Sequence, residues 1–201
     1  MKLSLSLLIL LQFHLLNTAQ DSTIFEYNSI EEALLNPEKL VRLNLSDQQF
    51  VFSPNIWEQF VNLQYLSLKN EHLWEVPEEL MELKRLKILD LSGNDFINLP
   101  SNFFELRSLE ELYLNDEKEL NLDSAIQVLV KLPKLKSLHL ENDGLKMVPS
   151  ELSKFNHLEF LYLNGKKLKE VPLNILQLKN LKYINLNQNQ IDRKNWNSKN
   201  P

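Results

Sequence analysis

Aromatic side chains recur at a nearly constant spacing in the second half of the chain. Tyr113, His139 and Tyr162 are separated by 26 and 23 residues, and Phe160 and Tyr183 are also 23 residues apart. If each interval returns the chain to the same place in the structure, these rings form one cluster. Aromatic clusters on a rigid surface are typical of sites that bind other proteins.

Acidic side chains accompany this predicted cluster: Asp90 and Glu111 precede it, and Glu141 follows His139 by two residues. An aromatic centre with a charged rim is the usual anatomy of a protein interface. The same rings could instead serve as stacking platforms for a carbohydrate. The predicted partner-binding residues are Tyr65, Asp90, Glu111, Tyr113, His139, Glu141, Phe160, Tyr162 and Tyr183.

Catalytic and metal-binding chemistry has little support in the sequence. The chain has no cysteine, and the His-x-Glu pair of His139 and Glu141 lacks an evident third zinc ligand. The motifs of P-loop enzymes, zinc proteases and serine hydrolases are missing. Asp90 and Glu111 could face each other, but a glycosidase pair needs a deep cleft. The sequence therefore predicts no enzyme activity, no metal and no cofactor.

The elements that position these side chains follow a leucine repeat. Seven leucines open successive units, 23 residues apart except for one interval of 26, namely Leu40, Leu63, Leu86, Leu109, Leu135, Leu158 and Leu181. Further apolar residues stand at +3 and +5 in every unit, and proline stands at +14 in five of them. Apolar residues two apart share one face of a strand, so each unit predicts one strand.

This pattern resembles the leucine-rich repeat in its 23-residue form, LxxLxLxxNxLxxLPxxLxxLxx, over about seven units at residues 40–191. The resemblance implies an α/β solenoid with a parallel β-sheet on its concave face and short helical or 3₁₀ turns on its convex face. Residues at +2 and +4 then point to the concave face. The lack of cysteine caps resembles small secreted bacterial members, which implies interaction with other cells or surface proteins without catalysis.

Two departures from the repeat stand out. The family's asparagine at +8 is present only as Asn94 and Asn189, and Lys166 stands at this position in the sixth unit. Lysine cannot accept a hydrogen bond and its charge is costly to bury, so we expect a more open turn there. The remaining units carry Gln48, Glu71, Glu117 and Asp143 at +8.

The fourth unit is three residues longer than the others and lacks the proline. We expect Asp123 or Ser124 to cap a helix there, with Ile126, Leu129 and Val130 on one side. The unit is either a longer outer helix that changes the local curvature or a loop at residues 116–119 that is shaped for a partner.

The ends of the chain differ from the repeats. Residues 1–19 have the charged start, apolar stretch and small-residue end of a secretory signal peptide, with cleavage expected after Ala19. Residues 20–39 predict an N-terminal helical cap, because Ser29 and Glu32 form a capping-box pattern. Residues 192–201 form a polar C-terminal tail.

These patterns together predict a non-catalytic module that binds a protein through its concave face. With 22 basic and 27 acidic residues and a net charge of −5, the chain gives no electrostatic reason to bind nucleic acid. We expect a monomer that is secreted, periplasmic or on the cell surface, with no membrane span after signal cleavage. A carbohydrate-binding protein and a structural protein of the cell envelope are the alternatives.

Overall fold

The computed structural model describes residues 25–49, 55–144 and 147–192. The predicted signal peptide and all but the first residue of the predicted tail lie outside the described residues. Eight parallel strands form one open sheet in which spatial order follows chain order. The strands β1 to β8 are Glu26–Tyr27, Arg42–Asn44, Tyr65–Ser67, Ile88–Asp90, Glu111–Tyr113, Ser137–His139, Phe160–Tyr162 and Tyr183–Asn185.

The predicted repeat strands are confirmed as β2 to β8. Each begins at +2 of its unit, and each pairs with the equivalent residues of the next unit. The leucines at 0, +3 and +5 of the first six units are buried. A fully buried leucine contributes about 1.5–3 kcal/mol relative to an exposed one. Because each unit covers the leucines of its neighbours, the core exists only in the stack.

The side opposite the sheet is closed by short helices, as the repeat implies. Six 3₁₀ helices lie there or at the N-terminus, at Pro37–Lys39, Trp57–Gln59, Glu78–Glu82, Phe103–Glu105, Ser150–Lys154 and Leu173–Gln177. Trp57, Phe60 and Phe103 are completely or almost completely buried against the leucines. These apolar residues at +17 and +20 seal the core from the outer side.

The N-terminal segment contains one strand that the sequence did not predict. β1 pairs with β2, with Glu26 opposite Arg42. The helix that follows is α1 at Ile30–Ala33. Its N-cap is Ser29, whose hydroxyl accepts a hydrogen bond from the Glu32 N–H at 3.1 Å. The predicted capping-box serine is thus confirmed, while the sheet extends one strand beyond the seven expected ones.

The longer fourth unit contains α2 at Leu122–Leu129. Ile126 and Leu129 face the core, as predicted, and are fully buried. The cap is Asn121, whose side chain accepts a hydrogen bond from the Ser124 N–H at 3.1 Å. The prediction of Asp123 or Ser124 as the cap is wrong because the helix begins earlier and both residues lie inside its first turn.

Every unit has a residue with a positive φ angle at +7, just after the strand. The angles lie between 57° and 72° at Asp47, Asn70, Gly93, Asp116, Asn142, Gly165 and Gln188. Six of these residues are glycine, asparagine or aspartate, the types that adopt this left-handed conformation most readily. This position turns the chain from the sheet toward the outer side in each unit.

A ladder of side chain to backbone hydrogen bonds runs along the +8 positions. Glu71 accepts from the Gln48 N–H at 2.7 Å, and Asn94 accepts from the Glu71 N–H at 3.1 Å. Glu117 accepts from the Asn94 N–H at 2.9 Å, and Asp143 accepts from the Glu117 N–H at 3.2 Å. Carboxyl oxygens therefore replace the accepting oxygen of the family's asparagine. They cannot replace its NH₂ group, which at Asn94 donates to two backbone carbonyls.

Lys166, the next residue at +8, was predicted to leave its turn more open. Its side chain is completely buried, and its Nζ donates to Asp143 Oδ2 at 2.7 Å. The expectation of an open turn is wrong because the preceding repeat supplies a carboxylate at the same position. Burial still opposes both charges: it lowers the pKa of Lys166 and raises the pKa of Asp143, and the attraction between the two groups offsets only part of each shift.

Candidate partner-binding surface

Four aromatic rings form a continuous row across β5 to β8, which we call the aromatic column: Tyr113, His139, Tyr162 and Tyr183. The Tyr113 and His139 ring centres are 3.9 Å apart with planes at 17°, and the His139 and Tyr162 ring centres are 4.1 Å apart at 7°. Tyr162 and Tyr183 are tilted at 49° with centres 5.5 Å apart. The predicted neighbours therefore meet in the structure.

The strand register explains why the rings stack. Tyr113 pairs with His139, and His139 pairs with Tyr162. All three stand at +4, between the buried leucines at +3 and +5, so their side chains leave the sheet on the face away from the core. His139 is only 7% exposed, but two rings rather than the leucines cover it. His139, in the middle of the column, therefore presents its ring edge rather than a ring face.

Glu111 holds the first part of the column in place. Its Oε1 accepts a hydrogen bond from the Tyr113 hydroxyl at 2.7 Å and lies 2.9 Å from His139 Nε2. The Ser137 hydroxyl lies 3.1 Å from the same Nε2. Ser137 was not among the predicted residues, because it stands at +2 of its unit and carries neither an aromatic ring nor a charge.

Ser137, His139 and Glu111 have the residue types of a hydrolase triad but not its geometry. In a triad, one imidazole nitrogen takes the serine proton and the other is held by the carboxylate. Here both the serine and the carboxylate contact Nε2. A carboxylate on this nitrogen occupies the position that general base catalysis needs, so the contacts fix the ring rather than activate the serine.

A second aromatic group lies nearer the N-terminus of the sheet. The Arg42 guanidinium stands 3.9 Å from the centre of the Tyr65 ring. The Arg42 Nη2 also forms an ion pair with Glu26 at 2.9 Å, and its Nε donates to the same carboxylate oxygen. Neither Arg42 nor Glu26 was among the predicted partner-binding residues, and Glu26 lies on the unpredicted β1.

The hydroxyls of Tyr65, Tyr113 and Tyr162 on this face stay protonated at neutral pH, because the pKa of each is raised. Burial, followed by the charge of Glu111, raises the pKa of Tyr113. Burial and the neighbouring Tyr183 raise the pKa of Tyr162 to about 12. Burial also raises the pKa of Tyr65, with Glu26 and Asp90 adding to the shift. A protonated phenol remains a hydrogen-bond donor, which suits an acidic surface.

The other predicted residues are distributed around these groups. Asp90 pairs in register with Tyr113, and Phe160 pairs with Ser137 on one side and Tyr183 on the other. Glu141 follows β6 outside the aromatic column, and its backbone N–H donates to Asn115 Oδ1 at 2.8 Å.

No group of three or more histidine or acidic side chains in the described ranges could hold a metal ion. None of the helices described here has the length and apolar composition needed to cross a bilayer.

The chain resembles known proteins mainly in its fold. A sequence model described as a leucine-rich repeat region matches residues 39–129. A leucine-rich-repeat protein of Leptospira interrogans is 26% identical and has a TM-score of 0.66, with 84% of this chain and 48% of that protein covered. No curated protein matches the sequence.

More distant structures share the fold alone. An internalin C2 of Listeria monocytogenes is 23% identical with a TM-score of 0.57, and the match covers 74% of this chain and 62% of that one. The Toll–Spätzle complex of Drosophila gives 19% identity and a TM-score of 0.59, covering 76% and 24%. The chain thus spans about half to three fifths of the bacterial structures. Its repeat spacing, its parallel sheet and these matches show that the chain has the leucine-rich-repeat fold.

Proposed function

We propose that this protein binds another protein through its concave face, the solvent-facing side of the sheet, and catalyses no reaction. The aromatic column is the main observation in support of this proposal. Large rings that stand outside the core, held by Glu111 and by one another, lose little conformational freedom when a partner covers them. Leucine-rich-repeat folds commonly serve in protein–protein interaction, and the matched Toll structure is a complex with a protein, Spätzle.

The proposed contact residues are the nine that the sequence predicts. The rings form the centre, and the carboxylates of Asp90, Glu111 and Glu141 give the surrounding surface a negative charge. Tyrosines with protonated hydroxyls combine apolar area with a hydrogen-bond donor, which favours their use at interfaces. We further propose that the protein acts as a monomer without binding nucleic acid.

A carbohydrate ligand is less well supported than a protein. Sugars stack on the open faces of aromatic rings, but both faces of His139 are covered by Tyr113 and Tyr162. The exposed ring edges suit the irregular surface of a protein better. A structural role in a cell envelope has no observation in its favour among the described residues.

We also propose that the protein acts outside the cytoplasm. The support is the sequence of residues 1–19, which has the pattern of a secretory signal peptide. The partner is then expected to be secreted or displayed on a cell surface.

Affinity capture tests the proposed binding face. The double variant Tyr113→Ala/Tyr162→Ala removes two rings of the aromatic column and leaves the leucine core intact. We expect it to lose the partner that the wild-type protein captures, while its thermal unfolding changes little. The matched control is Trp74→Ala, which removes an aromatic ring that is 81% exposed outside the strands. Equal capture by the double variant and the wild type would contradict the proposal.

A further inference from the structure

On the solvent-facing side of the sheet, the side chains of β4 lie between two strands that carry tyrosines, and we call this place the notch. β3 contributes Tyr65 and β5 contributes Tyr113, whereas β4 contributes the smaller Ile88 and Asp90. Neighbouring strands lie about 4.8 Å apart, so the strands that carry the two rings are about 10 Å apart. Asp90 pairs in register with Tyr113, whereas Tyr65 pairs with Ile88, two residues earlier on β4.

Each tyrosine ring is covered on the side that faces away from β4. Arg42, which lies on β2, covers the side of Tyr65 that faces away from β4. His139, which lies on β6, covers the side of Tyr113 that faces away from β4. The other face of Tyr113 is therefore on the side of Asp90, its in-register neighbour on β4, and the other face of Tyr65 is on the side of Ile88.

The notch carries negative charge without a basic partner at Asp90. Asp90 Oδ1 accepts a hydrogen bond from the Ser92 N–H at 2.9 Å, which orients the carboxylate. Across the described ranges, no lysine or arginine lies within ion-pair distance of Asp90. After burial and nearer carboxylates, Asp90 also contributes to the raised pKa of both Tyr65 and Tyr113. Its charge therefore acts on both rings.

Another part of the same surface contains a guanidinium group in a comparable environment. Two strands away from the notch, the Arg42 guanidinium stacks on Tyr65 and pairs with Glu26. A guanidinium fits this environment because it is planar, permanently charged and able to stack on a ring while donating to a carboxylate. The notch repeats this combination of ring and carboxylate without an arginine of its own.

We infer that the notch receives an arginine side chain of the partner, which stacks on Tyr113 and pairs with Asp90. This inference rests on the proposed protein-binding function and names the chemistry of the partner: an exposed segment that carries arginine. Lysine fits less well, since its ammonium group is compact, strongly hydrated and unable to stack as a plane.

The test is a titration of the full chain with three blocked tripeptides, Gly-Arg-Gly, Gly-Lys-Gly and Gly-citrulline-Gly, followed by nuclear magnetic resonance. We expect saturable shifts at residues 90 and 113 with the arginine peptide. The lysine peptide should bind several-fold more weakly, and the uncharged citrulline peptide should not bind.

Substitutions then locate the site. Asp90→Asn keeps the acceptor for Ser92 and should weaken binding of the arginine peptide about tenfold or more, whereas Asp123→Asn on α2, a control outside the sheet, should leave it unchanged. Equal binding by Asp90→Asn, or equal binding of the citrulline peptide, would overturn the inference.

The proposed function and the arginine inference can be refuted independently of each other. If partner capture depends on Tyr113 and Tyr162 but no arginine peptide binds, only the arginine inference is wrong. If arginine binds at Asp90 but capture is unaffected by loss of the rings, only the proposed function is wrong.

Discussion

The buried pair of Lys166 and Asp143 makes a quantitative prediction about stability. The two side chains are 0% and 4% exposed, and their charged atoms are 2.7 Å apart. Lys166→Met keeps most of the side-chain volume and removes the charge, which leaves the Asp143 carboxylate buried without its cation. Breaking a buried pair in this way costs about 3–5 kcal/mol. We expect Lys166→Met to lower the free energy of unfolding by this amount at neutral pH.

The control for this experiment is an exposed ion pair of the same type. Lys182 and Glu159 are 2.6 Å apart, but the lysine side chain is 65% exposed. Exposed pairs contribute about 0–1 kcal/mol, so Lys182→Met should have little effect. Urea unfolding followed by circular dichroism measures both variants. If Lys166→Met costs no more than Lys182→Met, the reasoning about burial is refuted.

A double variant separates the cost of the broken pair from the value of the intact pair. Asp143→Asn/Lys166→Asn places neutral amides at both +8 positions, as the family pattern has them. Because burial opposes both charges, replacing the pair as a whole should cost much less than removing the lysine alone. The measurement is the same urea titration, and a double variant as unstable as Lys166→Met would contradict this explanation.

Two further predictions concern the ladder and the fourth unit. Burial raises the pKa of Glu117 to about 8, so the folded protein retains a proton that the unfolded chain loses above about pH 4.3. The resulting stabilisation is complete below that pH and is lost as the pH rises to about 8. Glu117→Gln should therefore flatten the fall in urea midpoint between pH 5 and pH 8, and an unchanged slope would refute the assignment. Asn121→Ala should cost about 1 kcal/mol by removing the cap of α2, whereas Asp123→Ala should cost less; the same unfolding assay compares them, and equal losses would refute the cap.

The seven repeat strands were predictable because a parallel stack forces equivalent residues into register. The same rule brought Tyr113, His139 and Tyr162 together, since side chains at +4 cannot enter the leucine core. β1 was not predictable, because its two residues, Glu26 and Tyr27, have no apolar alternation and lie outside the repeat. The strand forms because the exposed edge of β2 offers unpaired backbone groups.

The details of polar pairing were harder to predict. Lys166 looked unsuited to burial on its own, and its environment depends on a residue 23 positions earlier. Opposite charges at +8 in consecutive repeats, Asp143 and Lys166, are the sequence signal for this pair. The Arg42 and Glu26 pair has no such signal, since Glu26 precedes the first repeat. Ser137 contacts the aromatic column through His139, and the sequence does not specify the orientation of the His139 ring.

The concave face combines two features that usually occur at interfaces. Its rings are held rigidly before binding, so little conformational entropy is lost when a partner covers them. Its carboxylates give the surface a negative charge, which selects positively charged partners and speeds their approach. Together, the proposed function and the proposed arginine site predict that this surface binds an exposed, basic segment of another protein.

Site-specific photo-crosslinking tests the central claim most directly. A photoreactive residue is placed at Tyr183, at the end of the aromatic column, or at Leu176, which is 72% exposed on the helical side. The proteins are then irradiated in extracts of the organism that makes them. A discrete crosslinked partner from position 183 and none from position 176 is the predicted result. A partner crosslinked only from position 176 would contradict binding through the concave face.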